Sequence, residues 1–515
     1  MSTFQGLELA RKALFAQQGA LYTTGHNIAN VNTEGYSRQR VNFETTTPFP
    51  VPSRVQPQHA GQMGTGVEIG TVERVRDQFL DLQFRAENSK LGYWETRQEA
   101  LSRMEELLNE PSDNGLSKTM DSFWQSLQDL AVNPENAGAR SVVAQRGLAL
   151  AETFNHLSKS LQGIQSDLKE QIDASEKGIN SLLDRINDLN EQIQKIEPHG
   201  FLANDLYDER DRLIDQLSEH MNIKVHYRPS SDSALEIAPG IVSIELLDSS
   251  GNSFEQEVYL IDAQDSVDDA VNEMKVEYDD ESGLVSGISI GDMTVFGDDA
   301  GDANLLESIG SLTALVEAHG YVRNSESNGD YPEILAELDK LASEFATAFN
   351  AVHRDGIHLV DDEENVPDFF ETSNGATTMT AENITVNSAI IDNPNLIAAS
   401  DPETGSRNGD NALKLAAVFD DEEITGLETS PRKYLTALIG ELGVEGQKAK
   451  GMKDSTEILK DQVEHSRMSV SAVSLDEEIS NMIKFQHAYN AAARNMTAID
   501  EMIDRIINNM GLVGR

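Results

Sequence analysis

The sequence predicts a mainly α-helical protein with a β-rich insertion, on three observations. Both ends of the chain carry apolar stripes whose steps alternate between three and four residues, as in a coiled coil. Residues 147–197 carry a longer stripe with helical spacing. Residues 226–304 instead alternate apolar and polar positions around Gly, Asp and Ser turns, which is typical of strands.

The first predicted element is a helix over residues 3–31. Its stripe consists of Phe4, Leu7, Ala10, Leu14, Gln17, Leu21, Thr24, Ile28 and Val31. The segment "NTEG" then predicts a turn, and "YSRQRVNFETTTP" predicts extended chain that ends at Pro48, Pro50 and Pro52. The stripe is too narrow to form a globular core alone.

The last 42 residues repeat this pattern. Their stripe consists of Leu475, Ile479, Met482, Gln486, Tyr489, Ala493, Met496, Asp500, Ile503, Ile507 and Met510. Neither terminal helix has a partner nearby in sequence. We therefore expect the two to pair in an inner coiled-coil domain of residues 1–50 and 470–515.

More helices are expected between the ends. The stripe of residues 147–197 predicts a rod about 75 Å long at 1.5 Å per residue. Residues 205–221 also read as a helix, and residues 304–350 and 410–469 as mostly helical, with breaks at Pro332 and Gly440. Residues 51–225 and 305–469 would form a long-helix domain with a turn-rich segment at 353–409, where short strands are possible near "ENITVNSAII".

Charge sets residues 226–304 apart as an acidic β-rich insertion domain. They hold two basic and nineteen acidic residues, whereas residues 1–50 hold four basic and three acidic residues. A nearly neutral end can pack against copies of itself, and a strongly acidic segment is better kept in water. Saline or alkaline surroundings would also favour such acidity.

The whole composition disfavours several classes of function. A net charge of −48 repels nucleic acid and anionic membrane surfaces. The chain has no cysteine, so it forms no disulfide or thiolate metal site. No apolar run is long enough to predict membrane insertion, and the first residues lack the pattern of a cleavable secretory signal. Nothing in the sequence favours an enzyme, a catalytic residue, a metal or a cofactor.

Three motifs have a structural reading that we prefer. "GISIG" at 287–291 matches a nucleophile elbow, but alternation runs through Ser289 into Met293 and Val295, which favours a strand. The acidic groups Asp279, Asp280, Glu281 and Asp298, Asp299, Asp302 lack the spacing of a calcium loop and read as solvated turns. "NDLYDERDRLIDQLSEH" (204–220) has one apolar face and reads as a packed helix.

Both ends of the chain also resemble a known family. "NIANVNTEGYSRQ" and "VSLDEEISNMIKFQHAYNAAARNMTAIDEMIDRIINNMG" are similar to the terminal motifs of the bacterial flagellar axial proteins: rod, hook and hook-associated proteins. In the middle, "DLYDERDRLIDQLSEHMNIKV" and "FNAVHRDGIHL…DFFETSN…IAASDPETGSRNGDNALKLA" resemble the hook-associated members that join hook to filament. The acidic insertion is the least characteristic part.

The resemblance implies a fold, a place and partners. It implies a terminal coiled coil, a long-helix domain and an outward β domain, as in flagellin-like and hook-associated proteins. It implies an extracellular structural adaptor at the hook–filament junction, exported by the flagellar type III apparatus with a chaperone and without a cleaved signal peptide. Partners would be copies of the chain in an open helical array, the hook protein, a second junction protein and filament subunits.

Two other functions stay open at this point. The chain would fit another axial subunit of hook or filament type. Alternatively, the β insertion would be an exposed module that binds a glycan or a cation. Its aromatic residues are few and occupy strand-like positions, so we prefer core packing for them.

The resemblance also suggests an assembly interface on the terminal helices. Gly25, Asn27 and Asn30 disfavour a helix interior, and we expect their amides and bare backbone to contact a neighbouring subunit. The alternative is a fraying helix end with Asn30 near the cap. The predicted interface residues are Leu7, Leu14, Leu21, Asn27, Ile28, Asn30, Gly35, Tyr36, Ile479, Met482, Ile483, Gln486, Tyr489, Met496 and Ile503.

Overall fold

The computed structural model describes most of the chain. The described residues are 3–49, 63–108, 115–264, 266–297, 304–360, 366–373, 375–403, 408–421, 424 and 426–509. Several residues singled out above lie outside these ranges, namely Pro50, Pro52, Asp298, Asp299, Asp302 and Met510.

The described part of the chain is mostly helical, as predicted. Its helices are α1 (Thr3–Ala29), α2 (Gln78–Leu108), α3 (Leu116–Val132), α4 (Ala137–Ile196), α5 (Asn204–His220), α6 (Ser311–His319), α7 (Asp330–Arg354), α8 (Ser388–Asp392), α9 (Asp410–Ala417), α10 (Pro431–Ser471) and α11 (Leu475–Asn509).

The strands form small sheets with mostly antiparallel pairing. They are β1 (Gln39–Thr45), β2 (Val67–Arg74), β3 (Ile223–Arg228), β4 (Ile241–Leu247), β5 (Ser253–Ile261), β6 (Met274–Tyr278), β7 (Val285–Ile290), β8 (Met293–Phe296), β9 (Tyr321–Arg323), β10 (Glu326–Asn328), β11 (Phe370–Thr372) and β12 (Ile384–Val386). β1 pairs with β2, and β11 with β12. β3, β4 and β5 form one sheet; in another, β7 pairs with β6, β8 and β9, and β9 with β10.

Helix α4 is the longest element and begins ten residues earlier than predicted. Asn136 caps it, because its Oδ1 accepts hydrogen bonds from the backbone N–H groups of Gly138 and Ala139 at 2.8 and 3.3 Å. With 60 residues, α4 is about 90 Å long. The predicted stripe is largely buried, with Phe154, Leu161, Ile172, Ile179, Ile186 and Ile193 at its centre.

The helix break predicted at Pro332 is present but lies just before it, at residues 320–329, and the break predicted at Gly440 is wrong. Pro332 lies in the first turn of α7, where a missing N–H costs no intrahelical hydrogen bond. Gly440 lies inside α10, whose burial along α2 outweighs the weak helix propensity of one glycine. Residues 321–328, expected to be helical, form the hairpin β9–β10.

The β-rich segment is larger than residues 226–304 and shares its core with the helices. β3 begins at Ile223, and β9 joins β7 through a parallel pairing of Val285 with Tyr321. Asparagines of α4 also bind strands and loops: Asn180 donates to Met274 O at 2.8 Å and Asn190 to Val242 O at 3.0 Å. Buried residues of α4 and of these sheets belong to one continuous apolar cluster. The strands of residues 226–304 therefore cover α4 and share a hydrophobic core with the helices.

A group of phenylalanines fills the core between the other helices. Phe123 of α3 lies within 6.1 Å, between ring centroids, of Phe349, Phe369, Phe370 and Phe419. These rings come from α3, α7, the turn-rich segment after α7 and the turn that follows α9. The turn-rich segment therefore belongs to the helical body. The short strand expected near "ENITVNSAII" is β12.

Candidate assembly surface on the terminal helices

The two terminal helices pack against each other, as predicted. Gly6, near the start of α1, lies so close to Ile499 that a Cβ there would be 3.2 Å from Ile499 Cδ1. Just beyond the end of α1, Arg38 binds Glu478 and Glu477 at the start of α11, at 2.8 and 2.9 Å. The helices therefore run antiparallel. We call α1, β1, β2 and α11 the terminal unit.

The side of α11 that faces α1 differs from the predicted stripe at alternate positions. Partly buried residues recur at three- and four-residue steps: Met482, Phe485, Tyr489, Ala492, Met496, Ile499 and Ile503. Met482, Tyr489, Met496 and Ile503 are thus correctly placed, but Gln486 is exposed. Phe485 takes the position predicted for Gln486 and meets Phe43 of β1, with ring centroids 6.0 Å apart. The sequence did contain a signal for this register, because Phe485 and Ile499 are apolar, but the predicted stripe left both residues out.

Helix α1 packs on two sides. Its fully buried apolar residues are small: Ala10, Ala16 and Ala20. Leu7, Leu14, Leu21 and Ile28 are half-buried. A Cβ at Gly19 would clash with Ile69 of β2, so the β1–β2 ribbon lies directly on the helix backbone. Small residues permit this close approach.

Asn27 joins the end of α1 to β1 and is 1% exposed. Its Nδ2 donates to Gln39 O at 2.8 Å, and its Oδ1 accepts from Gln39 N at 3.0 Å and from the Tyr36 hydroxyl at 2.8 Å. The Asn27 amide thus binds both backbone groups of Gln39, as the backbone of a neighbouring strand would. The expectation that Asn27 offers a free amide to a neighbour is wrong, because its side chain is occupied within its own chain.

Asn30 and Gly35 shape the turn that follows. Asn30 Nδ2 donates to His26 O at 3.0 Å, and its Oδ1 accepts from the Thr33 hydroxyl at 3.1 Å, so Asn30 closes the helix end. The helix thus ends next to Asn30, as in the alternative interpretation, but Asn30 hydrogen-bonds the last turn. Gly35 has φ +77° and packs against Arg212 of α5; a left-handed backbone at a turn favours glycine.

Tyr36 lies inside the same turn. His26 Nδ1 is 3.0 Å from its hydroxyl, which donates to Asn27. Burial, reinforced by Asp205 and Asp208, raises the pKa of Tyr36 above its ordinary value, so the hydroxyl keeps its proton. Tyr36 is half-buried, and its hydroxyl helps to hold the turn through Asn27 and His26.

A cluster of ion pairs holds this turn and the β ribbon against α5. Arg74 binds Asp208 and Asp211 at 2.9 and 2.8 Å, and Ser37 N donates to Asp208 Oδ2 at 3.0 Å. Burial opposes ionisation of Asp211, but Arg76, Arg74 and Arg85 outweigh it and lower its pKa. The segment 204–220 is thus the packed helix we predicted, and its carboxylates also connect it to the terminal unit.

Helix α10 joins the same cluster. Arg467, near its end, binds Asp215 of α5 at 2.5 Å, and Arg85 of α2 binds Asp215 at 2.8 Å. Asp81 of α2 forms an ion pair with Arg76 at 2.7 Å. These pairs come from four separate stretches of sequence, so no local motif predicted them. They connect the terminal unit to the helical body.

Large apolar side chains remain exposed on the terminal unit. Phe4, Phe15 and Tyr22 of α1 are 65%, 60% and 77% exposed. They are eleven and seven residues apart, so they lie on one helix face. In α11, the predicted interface residues Ile479 and Ile483 are 48% and 50% exposed and lie outside the seam with α1. Exposed apolar faces of this kind mark interaction surfaces.

The glycan- or cation-binding alternative finds little support in the described residues. Asp279 Oδ2 accepts from the Ser282 N–H and hydroxyl, both at 2.7 Å, so this carboxylate closes a turn. Within the described ranges, no group of three or more His, Asp or Glu side chains is arranged to hold a metal ion. Ser289 lies inside β7, which continues through Gly291 into β8 and not into a helix, contrary to an elbow.

No described helix has the length and hydropathy of a membrane span.

Comparison with known proteins identifies the family. Residues 101–370 match the family described as "Flagellar hook-associated protein FlgK helical domain". Residues 465–510 match "Flagellar basal body rod FlgEFG protein C-terminal", and residues 7–36 match "Flagella basal body rod protein".

Relatives match over nearly the whole chain. Flagellar hook-associated protein 1 of Bacillus subtilis is 47% identical over 519 residues, which cover 100% of both chains. Its counterpart in Salmonella typhimurium is 25% identical and covers 97% of this chain and 98% of that protein. The flagellar hook junction protein FlgK of Burkholderia pseudomallei shares the fold, with a TM-score of 0.56 and 13% identity over 76% of this chain and 100% of the other. The chain therefore belongs to the flagellar hook-associated protein 1 family.

Proposed function

We propose that the chain is the structural adaptor that joins the flagellar hook to the filament. As a member of its family it is a structural component of the bacterial flagellum. The observation that carries the proposal is the apolar surface left exposed on the paired terminal helices, at Phe4, Phe15, Tyr22, Ile479 and Ile483. The full-length match to hook-associated protein 1 favours this function over that of a hook or filament subunit.

Copies of the chain would associate through the terminal unit. Identical head-to-tail contacts produce an open helical array. Covering the exposed aromatic and aliphatic side chains would supply the association energy, at about 25 cal/mol per Å² of buried apolar surface. The buried Asn27 acts within each subunit, because its side chain hydrogen-bonds the backbone of Gln39 and so attaches β1 to the end of α1.

The remaining partners follow from the place in the flagellum. The hook protein would contact one end of the array, and a second junction protein with the filament subunits would contact the other. We propose export by the flagellar type III apparatus with a chaperone, without a cleaved signal peptide, and an extracellular position at the hook–filament junction.

Immunogold labelling of isolated flagella tests the proposal. We expect gold only where hook meets filament, and a strain without the chain should secrete filament subunits into the medium. Gold along the whole hook or filament would instead identify another axial subunit. Gold on the cell body with normal filaments would contradict a junction role.

A further inference from the structure

A pocket lies where the terminal unit meets the helical body, and its volume is about 570 Å³. The end of β2, the start of α2, helix α5, the loop between β3 and β4 and the end of α10 contribute to its walls. Six apolar side chains line it: Leu202, Tyr207, Tyr227, Ile237, Pro239 and Val470. We call this the joint pocket.

Much of the apolar surface at the joint pocket is open to solvent. Ile237 and Val470 are 42% and 37% exposed. Of the other four apolar lining residues, only Tyr207 is fully buried. Phe79 and Phe201, each next in sequence to a lining residue, are 63% and 68% exposed. Exposed apolar side chains grouped around a concave surface are typical of an interaction site.

The joint pocket also carries an excess of negative charge. Two guanidinium groups line it, together with four carboxylates: those of Arg74 and Arg76, and of Glu73, Asp77, Asp81 and Asp211. Both guanidinium groups are already engaged within the chain, since Arg74 binds Asp211 at 2.8 Å and Arg76 binds Asp81 at 2.7 Å. A partner that brings basic residues beside an apolar side chain is therefore favoured.

The outer face of α1 has the matching features. Phe15 is 60% exposed, and Cζ of Arg11 lies 5.7 Å from the centroid of its ring. Lys12 is three residues from Phe15, so the two lie on the same side of the helix. Arg11 and Lys12 against one carboxylate, Glu8, give α1 a net charge of +1 in a chain whose net charge is −48. The terminal unit thus presents an aromatic side chain with basic neighbours.

We propose that the joint pocket of one subunit receives Phe15 of a neighbouring copy of the chain, with Arg11 and Lys12 of that copy beside the carboxylates of the pocket. This contact rests on the proposed function, because it requires copies of the chain to assemble. An open array needs two different surfaces, since a surface that met its own copy would close a dimer. The rings of Tyr207 and Tyr227 offer an incoming aromatic ring edge or face contacts.

Thiol cross-linking tests the contact, because the chain has no cysteine of its own. Cells would produce Phe15→Cys and Ile237→Cys variants together, and their isolated flagella would be treated with a short bismaleimide. We expect an immunoblot to show a product of twice the mass of the chain. Lys12→Cys takes the place of Phe15→Cys if loss of the Phe15 ring prevents assembly.

Matched variants define the outcomes. Phe15→Cys with Val142→Cys, which is exposed on α4 outside the joint pocket, should give no product. A product from Phe15→Cys alone would overturn the proposal, because copies of α1 would then meet each other. A product with Ile479→Cys and none with Ile237→Cys would also overturn it, since α1 would then meet α11 of the neighbour.

Immunogold labelling of the same flagella separates this contact from the junction role. Gold at the junction without a cross-linked product would overturn the contact alone. Absence of gold from the junction with the parent chain would overturn the proposed function and this contact with it.

Discussion

Single side chains define the turn between α1 and β1. Asn27 binds both backbone groups of Gln39 and the Tyr36 hydroxyl, while Asn30 closes the helix. An asparagine that weakens a helix by offering its amide to the backbone can stabilise a helix end by the same chemistry. Asn27 and Asn30, which disfavour a helix interior, are therefore the residues that end the helix and attach the next strand.

Replacing Asn27 by Ala should destabilise the terminal unit. Two backbone groups and one hydroxyl would lose their partner in a buried site, at a cost of about 2–4 kcal/mol. Faster amide hydrogen exchange at residues 27–45 would report the loss. Thr33→Ala, which removes an exposed hydroxyl bound to Asn30, is the control and should change stability by less than about 0.5 kcal/mol. Unchanged exchange in Asn27→Ala would contradict the role assigned to this amide.

His353 should make the helical body less stable in acid. It is fully buried; its Nε2 accepts from Ala398 N at 3.0 Å, and its Nδ1 donates to Pro367 O at 2.9 Å. Burial lowers the pKa of His353 to about 4, from 6.5 in the unfolded chain. Because the pKa of His353 is lower in the folded chain, the stability contributed by the neutral imidazole is fully present above pH 6.5. It is lost as the pH falls through 4. The loss amounts to about 3 kcal/mol.

Urea unfolding between pH 7 and pH 4 measures this effect. His353→Gln should unfold with a shallower dependence on pH than the parent chain over this range, whatever its absolute stability. His465→Gln, at an exposed position, keeps the contacts of His353 and serves as the control. The same slope in His353→Gln and the parent would show that His353 does not take up the proton.

Helices α1 and α11 illustrate how one element serves two partners. The side of α11 that carries Phe485 and Ile499 is occupied by α1 and β1 within the chain. Ile479 and Ile483 lie on other sides and stay half-exposed. A helix with apolar residues beyond its intrachain seam is suited to contact both its own chain and a neighbour.

Charge placed on the two sides of α11 should have different effects. Ile483→Asp should leave the unfolding of the free chain within about 0.5 kcal/mol of the parent, because the side chain is half-exposed. Phe485→Asp should destabilise the terminal unit by about 1–3 kcal/mol, since it removes the contact with Phe43 and places a carboxylate in a partly buried seam. Both should prevent filament attachment, measured by electron microscopy of complemented cells.

Ile483→Leu is the matched control and should form normal junctions, since it keeps an apolar side chain of similar size. If cells with Ile483→Asp also carry attached filaments, this side of α11 is not an assembly surface.

The molecule as a whole is unevenly buried. Buried apolar residues recur along α4 from Val143 to Ile193, whereas Glu478 is the buried residue of α11 in its described part. Stability against local opening follows buried contacts, so the terminal unit is the less protected region of a free subunit.

Limited proteolysis of the free chain should therefore cut first within the terminal unit. We expect a stable fragment that retains α2 to α9, identified by mass spectrometry of a time course. The same digestion of assembled junctions should spare the ends, because neighbours would cover them. Equal survival of α11 and α4 in the free chain would contradict this difference in stability.

Periodicity alone was sufficient to predict the helices at both ends, the rod, and the strands within residues 226–304. It succeeds because a stripe records which residues an element buries, and burial dominates folding energy. The axial family was recognisable for a related reason, since its motifs lie in continuous stretches at the two ends.

Contacts between distant segments were decided by the tertiary structure. The register of α11 depended on whether Phe485 or Gln486 faces the rest of the terminal unit, and the contact of Phe485 with Phe43 of β1 decides it. The sequence predicted that the Asn27 amide contacts a neighbouring subunit, but in the structure it binds Gln39 of its own chain. The strands of the acidic segment looked separate, yet they complete the core of α4. In each case the partner lies elsewhere in the chain, and a local pattern records that a side chain needs a partner without recording which one it meets.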